Sequence, residues 1–183
     1  MVWNDYKRSL TDAMDAFTYD DNIERVLRDS IGKNQTIFTC GNGGSAAIAS
    51  HLACDLNKGA NRDWANNDFR YRAISLSDAT PHIMALANDT HYDRIFVEQL
   101  RNLAKPNDIL FAISSSGNSP NVVLAAEYAR DRGMHVIGLT GLHGGKLHEL
   151  AHYKGHVKTT RYEEAEDVHQ AFCHALVQHL REK

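Results

Sequence analysis

Cysteine is scarce in this chain. Cys40, Cys54 and Cys173 are an odd number, and no two stand in a C-x-x-C pair. That supports neither a disulfide framework nor a thiolate zinc site. Long apolar runs are also missing, and no stretch approaches the ~20 residues of a membrane span. The opening MVWNDYKRSL lacks the apolar centre of a secretion signal. Lysine and arginine never form a block and the net charge is −3, so a basic face for nucleic acid or anionic lipid is not expected. These absences predict a cytoplasmic protein with neither nucleic acid nor membrane as partner.

What is present suits one domain, spanning residues 1–183, with a proper core: 183 residues, 43% of them hydrophobic. The first 33 residues carry two helical patterns, broken near Tyr19–Asn22, and no strand signal. Strands are then predicted at Thr36–Cys40, Tyr71–Ser75, Asp108–Ile113 and His135–Thr140, with a weak one at His156–Thr159. Helices alternate with them: one through about Leu56, others near Pro81–Ala87, Asp93–Leu103, Asn121–Arg130 and Gly144–Leu150, and a last one from Glu163 to Arg181. Asn57–Arg70 is polar and irregular and reads as a mobile loop. Alternation of this kind implies βαβ units and a parallel sheet covered by helices on both faces.

Two loops carry the chemistry. FAISSSGNSP at 111–120 places Ser114, Ser115, Ser116 and Ser119 where an apolar strand hands over to a helix. Hydroxyls and the free N–H groups of a helix N-terminus then face one small volume, and the macrodipole favours an anion there. The alternative is a plain Ser/Asn cap and turn, but four hydroxyls in six residues exceed what a cap uses. Gly41-Asn-Gly-Gly-Ser45 makes a second such loop. Its Gly41-x-Gly43-x-x-Ala46 spacing also fits a loose dinucleotide fingerprint. The acidic residue that fingerprint needs at the end of the second strand is absent, since that strand ends at Ser75. A phosphosugar is therefore expected as ligand, and no nucleotide.

His51 and Asp55 are four apart on the helix after the glycine loop and share a face. A surface ion pair is the alternative reading for them. On the last helix, Glu166-Asp167-x-His169-Gln170 precedes His174, and the alternative there is a solvated acidic stretch with packing histidines. Cys40, beside the first loop, reads as a small buried hydrophobe. The other histidines are scattered; His148 and His152 are four apart, but no carboxylate joins them in a ligand pattern.

The strings Gly41-Asn-Gly-Gly-Ser45, Ala87-Asn-Asp89, Ser114-Ser-Ser-Gly-Asn-Ser119 and Gly138-Leu-Thr-Gly141 resemble those of the sugar isomerase (SIS) domain family, and within it the phosphoheptose isomerases. The resemblance covers nearly the whole chain. It implies an α/β three-layer sandwich, a five-stranded parallel sheet of flavodoxin-like type, with residues 1–33 as an extra N-terminal helical pair for oligomerisation. It implies a homotetramer with active sites between subunits. Ser114, Ser115, Ser116 and Ser119 would grip the sugar phosphate, with Asn42, Gly43 and Ser45 lining the same cavity and Asp89 holding sugar hydroxyls.

The resemblance also assigns His51, Asp55, Glu166 and His174 to the acid–base cluster, which binds zinc in some members, with Glu166 also reaching the substrate. Asp55 stands where the family has glutamate, and Glu166 where it has glutamine. Two imidazoles and two carboxylates suit Zn²⁺. Helical spacing puts Asp167 nearer the face of His174 than Glu166, so either acidic residue is open for that place. A family arginine is unmatched: Gly59 falls there, with Lys58 and Arg62 nearby. The implied reaction is aldose–ketose isomerisation, sedoheptulose 7-phosphate to D-glycero-D-manno-heptose 7-phosphate for surface polysaccharide. Asp55 is the expected base and His174 the acid. The alternatives are a non-catalytic sugar-phosphate-binding SIS protein, such as a regulator that binds the replication initiator DnaA, and a lyase or epimerase on phosphorylated amino sugars. Retention of Asp55 with His51 and His174 favours the isomerase.

Overall fold

A computed structural model describes residues 2–61, 63 and 70–182. The strands read as unbroken apolar runs because the sheet is covered on both faces. Strands β2 (Ile37–Cys40) and β4 (Ile109–Ser114) are buried at every position, and β5 (His135–Thr140) at all but its first. Alternation sends Ile37, Ile109, Phe111 and Ile137 to one face and Phe38, Leu110, Ala112 and Val136 to the other. Helices α2 (Asn22–Gly32), α3 (Gly44–Cys54) and α8 (Tyr162–Glu182) cover the first face through Leu27, Leu52 and Leu176. Helices α5 (Val97–Leu103), α6 (Pro120–Asp131) and α7 (Gly145–Leu150) cover the second through Leu100, Ala125 and Leu147. The expected three-layer α/β sandwich is present.

The sheet has six strands rather than five, in the order β1-β6-β5-β4-β2-β3. Strands β3 (Ala73–Ser75) and β6 (Tyr153–Val157) complete the parallel set with β2, β4 and β5. The addition is β1 (Phe17–Tyr19), antiparallel to β6, in a region expected to hold no strand. Its two aromatics pack on Phe172 of α8, with ring centroids 5.0 and 5.1 Å away, so a three-residue strand is held by side chains as much as by its ladder. It also covers what would be a bare sheet edge. Strand β6 begins three residues earlier than its apolar pattern suggested, because Gly155 in its middle erases the alternation.

Helix α1 (Val2–Asp15) lies along α8, with Ala13 packed beside Val168, and leaves Trp3 and Met14 exposed. Helix α4 (Thr80–Asp89) precedes a 3₁₀ turn at Tyr92–Arg94, so the helix expected from Asp93 begins at Val97. The expected loop from Asn57 starts with order: α3 widens into a π-helical turn over Asp55–Gly59. Arg62 and residues 64–69 of that stretch lie outside the described residues. Among the described residues no helix is long and apolar enough to cross a membrane.

Strand order reverses between β2 and β4. The helix after β2 goes to one face and the helix after β4 to the other, so a crevice opens at the carboxyl ends of these two strands. Both glycine- and serine-rich loops open there.

Candidate active site

The crevice holds a cavity of about 150 Å³. Ser114, Ser115, Ser116 and Ser119 line it from the loop after β4, Asn42 and Ser45 from the loop after β2, and Tyr162 and Glu166 from α8. Gly43 takes φ +54°, which turns the chain into α3, and open space lies where its side chain would be. Gly44 is constrained differently: a Cβ there would collide with the Glu166 carboxylate. The bare Gly44 backbone leaves room for the Glu166 carboxylate in the cavity.

The serine loop is locally braced. Ser114 Oγ donates to Ser119 Oγ at 3.3 Å and accepts from Gly117 N–H at 3.2 Å, and Ser116 Oγ accepts from Asn118 N–H at 3.2 Å. Asn42 and Asn121 exchange two amide hydrogen bonds of 2.8 Å, tying the two loops together, and Tyr92 Oη donates to Asn42 Oδ1 at 3.1 Å. Ser115 differs. Its hydroxyl is buried and has no hydrogen-bond partner among the described residues. A buried unpaired hydroxyl costs stability unless something binds it, and here it lines a cavity at the N-terminus of α6. Among the described residues the lining contains no lysine, arginine or histidine. An anion placed there would meet a helix terminus and hydroxyls rather than a formal cation.

Helices α3 and α8 run side by side away from this cavity. Farther along them, His51, Asp55 and His174 each offer a donor atom, and all three atoms lie within 4.8 Å of one another. His51 Nε2 faces Asp55 Oδ2 at 3.5 Å, and the two imidazoles meet edge to face. Asp55 sits where the α-helix widens into the π turn, a feature frequent at functional sites. Gly59, at the place of the unmatched arginine, lies against the Asp55 carboxylate and offers it no charge. A set of two imidazoles and one carboxylate fits Zn²⁺ with a fourth position open, the pattern of catalytic rather than structural sites.

Three of the four expected cluster residues are thus together, and Glu166 stands apart from them in the serine-lined cavity. Between the two acidic residues left open, Glu166 faces the cavity, whereas Asp167 turns to α1 and accepts a 2.7 Å hydrogen bond from Tyr6 Oη. Burial, together with the charges of Glu163 and Asp167, pushes the Glu166 carboxyl above its usual range. Asp89 is exposed at the end of α4, accepts from Asn88 Nδ2 at 2.8 Å, and is not part of the cavity lining. Burial pushes the Cys40 thiol up to about 12, as befits an inert core residue.

Sequence reasoning passed over four contributors: Tyr162, Asn121, Tyr92 and Gln170. Gln170 had a usable signal, standing four residues before His174 on one helix face. Its amide reaches His174 Nε2 at 2.8 Å and His51 Nδ1 at 3.4 Å.

Known proteins resemble this chain in sequence and fold. A phosphoheptose isomerase of Bordetella avium (strain 197N) is 41% identical over 157 residues, covering 82% of this chain and 76% of that one. A phosphoheptose isomerase of Mycobacterium tuberculosis (strain CDC 1551 / Oshkosh) is 40% identical over 144 residues, covering 79% and 71%. The solved phosphoheptose isomerase of Francisella tularensis superposes with a TM-score of 0.86 at 26% identity, covering 98% of this chain and 96% of its own. That of Neisseria gonorrhoeae gives 0.80 at 28%, covering 98% and 91%. Residues 5–141, which carry both the glycine-rich and the serine-rich loop, match the SIS domain. With that match added to the crevice and its loops, this chain belongs to the SIS domain family.

Proposed function

We propose that the protein is a phosphosugar aldose–ketose isomerase that converts sedoheptulose 7-phosphate to D-glycero-D-manno-heptose 7-phosphate, for the heptose of a surface polysaccharide. The observation that carries this reading is the spacing of the two sites. At ~1.5 Å per residue, the rise from Ser45 to His51 along α3 is roughly 9 Å, and from Glu166 to His174 along α8 roughly 12 Å. A phosphate in the serine-lined cavity therefore leaves the far end of an extended sugar chain beside His51, Asp55 and His174. A triose phosphate is too short to reach. Relatives named phosphoheptose isomerase at about 40% identity support the same substrate.

Binding the phosphate at one end fixes C1 and C2 at the other, so remote binding energy is used for positioning. Asp55 takes a proton from C1 of the ketose, giving a cis-enediol. His174 supplies the proton that C2 gains, while the hydroxyl proton passes from O1 to O2. Held by His51, Asp55 and His174, a zinc ion would supply polarisation of the sugar carbonyl. Glu166 and Asp89 are assigned to the sugar hydroxyls. The assembly is a homotetramer located in the cytoplasm, residues 1–33 supplying part of the contact; the exposed Trp3 and Met14 on α1 support this, and light scattering at micromolar concentration tests it.

The decisive experiment incubates the pure protein with sedoheptulose 7-phosphate in deuterium oxide. The expected result is an aldose product carrying deuterium at C2. Absence of both product and exchange would leave a non-catalytic phosphosugar binder. Elemental analysis of protein purified without a histidine tag tests the zinc.

A further inference from the structure

Gln170 sits one helical turn before His174, and its side-chain amide touches both imidazoles of the cluster. Gln170 Nε2 lies 2.8 Å from His174 Nε2 and 3.4 Å from His51 Nδ1. An amide NH₂ group is a double donor and accepts nothing. In this orientation of the amide, both ring nitrogens that face it are the acceptors and carry no proton. The ring protons fall on His174 Nδ1 and on His51 Nε2. The latter is the nitrogen that faces Asp55 Oδ2 at 3.5 Å, where a proton has an acceptor. One amide orientation thus accounts for both rings and for the carboxylate.

The same geometry has a second side. Two imidazole lone pairs converging on one point are what a divalent transition metal takes from a pair of histidines. That point is filled here by the Gln170 amide nitrogen. An ion that uses His51 Nδ1 and His174 Nε2 has to break these two hydrogen bonds and move the amide aside. The long, unbranched glutamine side chain can swing without disturbing α8, because its amide end is not packed in the core. The arrangement differs from the position of Glu166, which faces the serine-lined cavity and not the two rings.

We propose that Gln170 is a positioning residue that sets the tautomers of His51 and His174 and competes with a metal ion for their two bare nitrogens. This rests on the reading of His51, Asp55 and His174 as the metal and acid–base group. The competition has a use. It keeps the two rings in ligating tautomers when no ion is held, and it lowers the affinity so that the ion exchanges.

The test uses the full-length protein stripped of metal, alongside Gln170→Met, which keeps the length of the side chain and removes both N–H donors. Co²⁺ is titrated into each and followed by its visible absorption, with His174→Ala marking the signal that belongs to this site. Long-range ¹H–¹⁵N spectra of the metal-free proteins report which ring nitrogens carry protons. The expected outcome is Co²⁺ binding several-fold tighter in Gln170→Met, with His174 Nε2 bare in the wild type and partly protonated in the variant. If the variant does not fold, Gln170→Leu takes its place. No cobalt uptake at this site by either protein, equal or weaker binding by the variant, or unchanged ring signals would each overturn the proposal. Failure of the isomerase reading would appear separately, as a wild-type protein that turns over no sedoheptulose 7-phosphate.

Discussion

The rings of His51 and His174 meet with centroids 4.9 Å apart and planes at 76°, one carried by α3 and the other by α8. Neither helix could make the cluster alone. What brings them together is the packing of both helices on the same face of the sheet, through Leu52 on one and Leu176 on the other. The same side-by-side course puts Ser45 and Glu166 at one end of the site and the two imidazoles at the other, so a single helix–helix register governs both halves.

Ser115→Ala should separate ligand binding from stability. The hydroxyl is buried and unpaired, so its removal leaves the melting temperature of the free protein unchanged or slightly higher. Affinity for a sugar phosphate should fall by about 1–3 kcal/mol, the usual cost of losing one hydrogen bond to a charged group. Calorimetric titration with sedoheptulose 7-phosphate, paired with a melting curve, checks both. Unchanged affinity would move the anion elsewhere.

Asp55→Ala should abolish turnover and leave phosphosugar binding intact, because the serine-lined cavity does not include it. Asp55→Glu lengthens the carboxylate by one methylene from the start of the π turn and should retain measurable activity. Steady-state rates on both variants, with equilibrium binding as control, decide this. Turnover surviving in Asp55→Ala would remove it as the base.

Histidine 169 should set an acid limit to stability. It is fully buried on α8, where Nε2 donates to Thr140 O at 3.1 Å, and burial pushes its imidazole down to about 4. The folded protein keeps this ring neutral, while the unfolded chain protonates it near the ordinary histidine value. Stability from this group is therefore complete above about pH 6.5 and is lost as pH falls toward 4, a difference of roughly 3 kcal/mol. Denaturation series from pH 7 to 4 should show that slope in the wild type and a flatter one in His169→Gln. Parallel slopes would assign the acid sensitivity to other groups.

Glu166→Gln should strengthen binding of inorganic phosphate at neutral pH several-fold, because it removes a negative charge from the cavity lining. The pH dependence of stability has a definite sign. A carboxyl raised in the fold disfavours folding once it is ionised. The glutamine variant should thus be the more stable one above the raised titration point, and the two proteins should converge as pH falls through it. Weaker phosphate binding by the variant would mean that Glu166 supports the anion through a hydrogen bond and does not repel it.

Much of the architecture was legible in the chain. Apolar runs at 109–113 and 136–139 read as strands covered on both faces, and their alternation with helical patterns pointed to the parallel three-layer sandwich. The serine loop stood out because four hydroxyls in six residues exceed what a helix cap uses, and the glycine loop because it too follows a strand and opens a helix. The six-stranded sheet was not: Phe17–Tyr19 is too short to carry a period, and it becomes a strand only because β6 offers an edge and Phe172 a surface.

By itself the sequence determined which residue types were available for the proposed anion site and acid–base group, since these follow from local order: hydroxyls at a helix start, a histidine and an aspartate one turn apart. Tertiary structure alone decided which of them meet. Glu166 and Asp167 are adjacent, yet one enters the cavity because Gly44 leaves room for it, and the other is claimed by Tyr6. Gln170 gained its place between two imidazoles from the register of α8 against α3. Such choices depend on how two helices pack across a sheet, and that register is fixed by core side chains far from the chemistry it positions.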